Sequence, residues 1–204
     1  IVSSNDIGLA AAMTAAGAQP LRCPIARDNR DSLLAALETA READFVVTLG
    51  GASLGDHDLV AQILGEAGLT LDFYQIAMRP GKPLMAGELG SQVMLGLPGN
   101  PVSAMVCSEI FLRPAIDAAL GLPAGPRATR PAFLNHDLAA NGPREHYMRA
   151  TVSLTTGGTM RCEVAGNQDS SLLATLARAN ALAVRPPHAP AAKAGSPIAY
   201  IPLG

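Results

Sequence analysis

The sequence predicts an α/β protein: a mostly parallel sheet with helices on both faces, followed by a small, mostly β C-terminal domain. Three observations carry this reading. Helical and strand-like patterns alternate through about the first 120 residues, which implies strand–helix units and a covered sheet. The alternation stops at Ala124-Gly125-Pro126, and from Thr129 onward short apolar runs are separated by turn residues. The expected domains are therefore residues 1–123 and 124–204.

The elements follow in order. Leu9 to Ala16 is Ala-rich and stops at Gly17, and Pro20 to Ile25 is short and apolar. Asp31 is a plausible N-cap for a helix over Ser32 to Glu42, whose Leu33, Leu34 and Leu37 form an apolar stripe. Phe45 to Leu49 reads as a buried strand, Leu59 to Ala67 as a helix ended by Gly68, and Leu71 to Met78 as β-like. Pro83 to Leu97 suggests a hairpin turning at Gly90, and Pro101 to Leu120 a long helix with Pro in its tolerant first turn. In the second domain Tyr147 to Leu154, Thr159 to Val164, Ala181 to Val184 and Pro197 to Ile201 read as strands, with a short helix over Ser171 to Ala179. Pro186 to Pro190 reads as a stiff connector.

Composition narrows the function classes. With 15 Lys and Arg against 17 Asp and Glu there is no basic excess, and aromatic residues make up only 3%, so nucleic acid is a poor candidate partner. No apolar run approaches the roughly 20 residues of a membrane span. The 3 cysteines lie far apart, without C-x-x-C spacing, which points to a reduced, cytoplasmic setting. The 4 histidines show no zinc-ligand spacing, so each is expected in the core or on the surface.

Three loops at strand ends carry the chemistry. In Thr48-Leu49-Gly50-Gly51-Ala52-Ser53-Leu54-Gly55-Asp56-His57-Asp58, Gly51 to Gly55 fits the G-x-S-x-G elbow of a serine nucleophile. The helix, however, is delayed by residues 55–58, and no obvious histidine partner follows. The same stretch fits an anion cradle, where Gly50, Gly51 and Ser53 offer N–H and hydroxyl donors and Asp56 and Asp58 could hold a divalent cation. Met78-Arg79-Pro80-Gly81-Lys82-Pro83 sets two cations on a stretch stiffened by prolines, suited to one oxyanion, although taken alone a solvated hairpin turn is the favoured reading. In Gly96-Leu97-Pro98-Gly99-Asn100-Pro101-Val102-Ser103 a strand feeds a helix N-terminus that favours negative charge, which makes Gly99, Asn100 and Pro101 ligand candidates; a plain helix capped by Asn100 is the bland alternative.

Taken together and in this order, GGxSxGDxD, RPGKP and GLPGNPVS resemble the molybdopterin molybdenumtransferase family, which includes bacterial MoeA and the gephyrin E domain. Ser4-Asn5 and Arg27-Asp28 match the same pattern, and Tyr147-Met148-Arg149 and Gly166 to Ser170 resemble motifs of the family's C-terminal β domain. The resemblance implies an enzyme that takes adenylylated molybdopterin, inserts molybdate at its dithiolene and releases AMP with Mg²⁺ assisting. It implies that Asp58, with Asp28, serves the hydrolysis, that Asp56 and Asp58 face the metal, and that Arg79, Lys82, Ser103, Arg149 and Ser170 hold molybdate. Gly50, Gly51, Ser53 and the Gly99-Asn100-Pro101 turn would receive the nucleotide, with Asn5 against the ligand. The family usually has Lys where this chain has Arg79, and Val where it has Ala52; charge and small size are kept. The family pattern further implies a longer protein of which this is the C-terminal part, acting as a homodimer. It leaves molybdate and tungstate open. The alternatives are a non-catalytic molybdopterin-binding scaffold, a molybdopterin adenylyltransferase, which would not be expected to carry the second domain, and a serine hydrolase using Ser53.

Overall fold

A computed structural model describes residues 4–51 and 59–203. The chain divides into two compact units: Ile1–Ile76 with Gly81–Gly125, and Ala77–Pro80 with Pro126–Gly204. The excursion of Ala77–Pro80 into the second unit is not foreseen from the sequence.

The first unit opens with α1 (Asn5–Ala15), ended by Gly17 at φ +92°. Pro20 to Ile25 forms no strand; Leu21 and Ile25 are exposed there. Helix α2 (Arg30–Thr39) begins earlier than expected, because Asn29 rather than Asp31 is its cap: Asn29 is extended and its side chain accepts from the Ser32 N–H at 2.9 Å. Strand β1 (Phe45–Leu49) follows, then α3 (Leu59–Glu66), β2 (Leu69–Tyr74), β4 (Met85–Leu89) and β5 (Gln92–Leu97), with β3 (Met78–Arg79) lying in the other unit.

The sheet order is β1-β5-β4-β2. Here the strand directions differ from the expected mostly parallel sheet: among the described strands of this unit only β1 and β5 run parallel, while β4 pairs antiparallel with both β5 and β2. The reason is local. A turn at Gly90 allows only an antiparallel return, since a parallel crossover needs a dozen or more residues. Val46, Leu64, Met85, Leu89 and Met94 form the buried cluster, with Leu37 of α2 and Val60 of α3 packed against it.

The long helix is real but not uniform. It comprises α4 (Pro101–Cys107), a π-helical turn (Ser108–Leu112) and α5 (Arg113–Ala119). Pro114 explains the interruption: it has no N–H to donate and its ring presses on the preceding turn, and a π turn absorbs the misfit. Helix α4 is anchored by Val102, Ala104, Val106 and Cys107, each 0% exposed, and it packs against α1.

The second unit is a closed ring of five strands. These are β6 (Arg130–Leu134), β7 (Glu145–Leu154), β8 (Met160–Val164), β9 (Ala181–Arg185) and β10 (Pro197–Pro202), with α6 (Leu173–Arg178) between β8 and β9. The order β7-β8-β6-β10-β9 closes because β9 also pairs with β7, which removes exposed sheet edges. Side chains alternate as the pleat demands. Met148, Ala150 and Val152, Cys162 and Val164, Ala181 and Ala183, Ile198 and Tyr200, and Ala132 and Leu134 fill the interior. The short β3 pairs in parallel with the first residues of β7, Met78 opposite Glu145 and Arg79 opposite His146. Among the described residues no helix is long and apolar enough to cross a membrane.

Candidate functional site

In the first unit the loops after β1 and β5 meet. The Gly50 N–H donates to the Leu97 carbonyl at 2.9 Å, and a Cβ on Gly99 would stand 3.4 Å from the Gly50 Cα. Gly50 and Gly51 have φ of +86° and +70°, values that side chains rarely adopt, and a Cβ on Gly51 would stand 2.6 Å from Val60 of α3. The Gly50 N–H is taken by the Leu97 carbonyl, so what these two left-handed glycines contribute is a backbone path that brings the loops after β1 and β5 together. Asn5 ties α1 to the same place, its amide nitrogen donating to the Gly99 carbonyl at 2.8 Å.

The start of α4 is as the sequence implies. Asn100 is extended and caps the helix, accepting from the Ser103 N–H at 3.4 Å, and Pro101 occupies the first turn. Ser103 is 6% exposed, and Cys107 lies one turn further along the same face. The Cys107 thiol points at the Gly81 carbonyl at 3.9 Å, so the returning arm of the RPGKP loop rests on α4. Lys82 beside it is exposed, its carbonyl accepting from the Ile76 N–H at 3.1 Å. Burial pushes the Cys107 thiol up to about 12, which makes it inert as a nucleophile. Asp28 is exposed ahead of α2. Ser53, Asp56 and Asp58 lie outside the described residues.

The second unit gathers Arg79, Arg149 and Ser170 at one edge of β7. This edge takes β3 at residues 145 and 146 and β8 from residue 150 onward. The gap between them is closed by Gln168, whose side chain accepts from the Arg149 N–H and donates to the Arg149 carbonyl, both at 3.0 Å. The Arg149 side chain points to the outer face, where the loop carrying Gln168 to Ser170 covers it completely. One of its nitrogens donates to the Asp169 carbonyl at 2.9 Å, next to Ser170. Its Nε and other terminal nitrogen are buried with no hydrogen-bond partner. Burial lowers its pKa, Asp169 opposes this, and Arg79 lowers it further, placing the two arginines within reach of each other's charge.

His146 belongs to this cluster and was not singled out by sequence. It faces the ring interior, its Nε2 buried without a partner, beside Arg79 across the β3 pairing and Arg185 across β9. Burial first, then Arg79, Arg149, Arg144 and Arg185, push its pKa down to about 4, so it is neutral at pH 7. Only strand pairing unites these charges, so no linear spacing announced them.

No group of three or more His, Cys, Asp or Glu among the described residues could hold a metal ion. The fit of Mg²⁺ therefore rests on Asp56 and Asp58, outside them.

The chain was compared with known proteins. A family model described as a probable molybdopterin binding domain matches residues 1–118, and one described as the MoeA C-terminal region (domain IV) matches residues 131–203. The molybdopterin molybdenumtransferase of a Nostoc species is 37% identical over 191 residues, covering 91% of this chain and 44% of that protein. The molybdopterin molybdenumtransferase of Bacillus subtilis is 32% identical over 187 residues, covering 91% and 43%. This chain thus spans under half the length of either. Among solved structures, a molybdopterin biosynthesis MoeA protein from Pyrococcus horikoshii superposes with a TM-score of 0.78 at 26% identity, over 99% of this chain and 48% of that one. The α/β unit followed by a small barrel-like β unit is the arrangement of these MoeA proteins. With both domain matches in that order, and the first alone spanning more than half of the residues, the chain belongs to the MoeA, or molybdopterin molybdenumtransferase, family.

Proposed function

We propose that this chain carries the molybdate-inserting activity of molybdenum cofactor biosynthesis, acting on adenylylated molybdopterin with release of AMP. The observation that supports it most is Arg149. A guanidinium with no exposure and two unpaired nitrogens is costly unless an anion completes it, and its planar fork suits two oxygens of a tetrahedral oxyanion. Molybdate is that anion in this reading, held by Arg149 and Ser170 with Arg79; Lys82 and Ser103 are the oxyanion-binding candidates that the family resemblance implies in the first unit. Gly50, Gly51, Ser53 and the Gly99-Asn100-Pro101 turn receive the nucleotide phosphate, and Asn5 orients the ligand.

Water adds across the adenylate bond and AMP leaves, with Asp58, assisted by Asp28, accepting the water proton. Mg²⁺, held by Asp56 and Asp58, would supply charge neutralisation at the phosphate when bound. The acting molecule is a homodimer of the longer, cytoplasmic protein.

The test is AMP release from adenylylated molybdopterin, with and without molybdate, by the intact protein. Arg149→Gln, checked for an unchanged melting temperature, should lower molybdate-dependent release by roughly 100-fold, the scale of losing one positioned donor. Asp58→Ala should abolish release while substrate still binds. If the intact wild-type protein neither binds adenylylated molybdopterin nor releases AMP, the reading is wrong.

A further inference from the structure

Residues 166–180 cross the outer face of β7 from its β8 side to its β9 side. Main-chain groups of alternate strand residues point to opposite neighbours, so those of Arg149 face β8 and those of Val152 face β9. On the β8 side the Gln168 amide clasps Arg149. It accepts from the Arg149 N–H and donates to the Arg149 carbonyl, both at 3.0 Å, and it donates to the Ala165 carbonyl at 2.7 Å. On the β9 side the Asn180 amide clasps Val152 in the same way, accepting from its N–H at 2.7 Å and donating to its carbonyl at 2.9 Å. The Asn180 N–H also donates to the Ala150 carbonyl at 3.2 Å, and Ala181 next to it begins β9, so this end is fixed to the ring.

Between its two ends this segment, which includes α6, is thinly packed. None of residues 165–180 is buried, and Leu172 and Leu173 are 37% and 40% exposed. A cavity of about 290 Å³ separates it from the ring, with Thr151 and Glu163 on the ring side and Asn167 and Thr175 on the other. Its first turn is folded onto itself, the Ser171 N–H and hydroxyl donating to the Asp169 carboxylate at 2.8 and 2.9 Å, so these residues move together. Segments with few buried apolar contacts open at lower free energy than the structure around them. The covered state also carries a cost, because Arg149 Nε and one terminal nitrogen are buried without partners. Opening hydrates both, and water replaces Gln168 at the Arg149 main chain, so no polar group is stranded. The Gln168 clasp and the bond from Arg149 to the Asp169 carbonyl at 2.9 Å oppose it.

We propose that residues 166–179 form a strap that opens from β7 as a unit, with the Gln168 amide as its latch and Asn180 as its fixed end. Closed, it removes Arg149 from water completely; open, a minor state without ligand, it uncovers the guanidinium. Gln168 is a positioning residue, since its hydrogen bonds go to main-chain atoms and it acts through Arg149. That an anion enters by this route rests on the reading of Arg149 given above, whereas the opening itself does not.

The test is modification of arginines by phenylglyoxal in the intact protein without ligand, resolved by peptide mass spectrometry. Arg185 is the internal reference: it is 6% exposed, lies in the same ring outside the strap, and donates to the carbonyls of Ala139, Ala189 and Pro190. In the wild type Arg149 should react at least tenfold faster than Arg185, because only Arg149 is uncovered by a local opening. Gln168→Ala should speed Arg149 at least a further tenfold and leave Arg185 unchanged. Hydrogen exchange of the wild type, which needs no variant to fold, should show the amides of residues 166–179 exchanging faster than those of β7. Equal rates for Arg149 and Arg185, no response to Gln168→Ala, or an equal rise at both arginines would overturn the strap. The strap and the proposed activity fail separately. A protein that releases AMP but modifies Arg149 no faster than Arg185 loses the strap alone, and one with the faster modification but no AMP release keeps the strap and loses the activity.

Discussion

An imidazolium loses its hydration when buried, and at His146 four arginines add repulsion, so the ring stays neutral until about pH 4. The sign of the linkage follows. Between the ordinary value of 6.5 and about 4 the unfolded chain binds a proton there and the folded chain does not, so acidification favours unfolding. The stability carried by neutral His146 is complete above pH 6.5 and is lost as pH falls toward 4, by up to roughly 3 kcal/mol. Urea unfolding at pH 7, 6, 5 and 4 should show that loss in the wild type and a flatter profile in His146→Gln; equal slopes would contradict it. Asp6, Asp137 and Asp169, with pKa values held below 3.8 by hydrogen bonds from Arg22, Lys193 and Ser171, act in a separate window, below that of His146. Arg149 was legible from its motif. His146 was not, because its neighbours Arg79 and Arg185 reach it through β3 and β9, and the sequence shows neither pairing.

Glycine at position 87 of β4 is dictated by β2. A Cβ there would lie 2.2 Å from the Thr70 carbonyl oxygen and 3.0 Å from the Leu71 Cα, backbone atoms at the bulge between Leu71 and Phe73. Relief requires moving one strand of the pair, so Gly87→Ala should cost about 3 kcal/mol, the upper end of overpacking, read as a lowered urea midpoint with unchanged m-value. Loss of the Asn100 cap should cost less: Asn100→Ala is expected to lower stability by about 1 kcal/mol. Four of the five strands of the second unit were readable because its ring buries one face and the sequence alternates accordingly, as in Met148, Ala150 and Val152, whereas β6, which carries Pro131, was not read as a strand. β3 escaped detection because two residues before Pro80 carry no periodicity. The π turn before Pro114 escaped for another reason: a proline marks a helix defect without saying which form the repair takes.

The two units bury their elements unequally, and two cysteines report on them separately. In the first unit α2 has no buried residue and β2 leaves four of its six residues exposed. In the second, the closed ring buries an apolar cluster drawn from all five of its strands, from Ala132 to Tyr200. Segments with few buried apolar contacts open at lower free energy, so the first unit of this 204-residue chain should unfold before the second. Cys107 of the first unit and Cys162 of the second are each 0% exposed, and burial pushes their thiols up to about 12 and about 11, so neither reacts while its unit is folded. Cys23 is only half-buried and should label in the native state. Pulses of iodoacetamide along a urea series, resolved by peptide, should therefore modify Cys23 throughout, Cys107 at intermediate urea and Cys162 last. A shared midpoint for Cys107 and Cys162 would mean that the units unfold as one, coupled through the chain's exchange of Ala77–Pro80, and the reverse order would refute the burial argument.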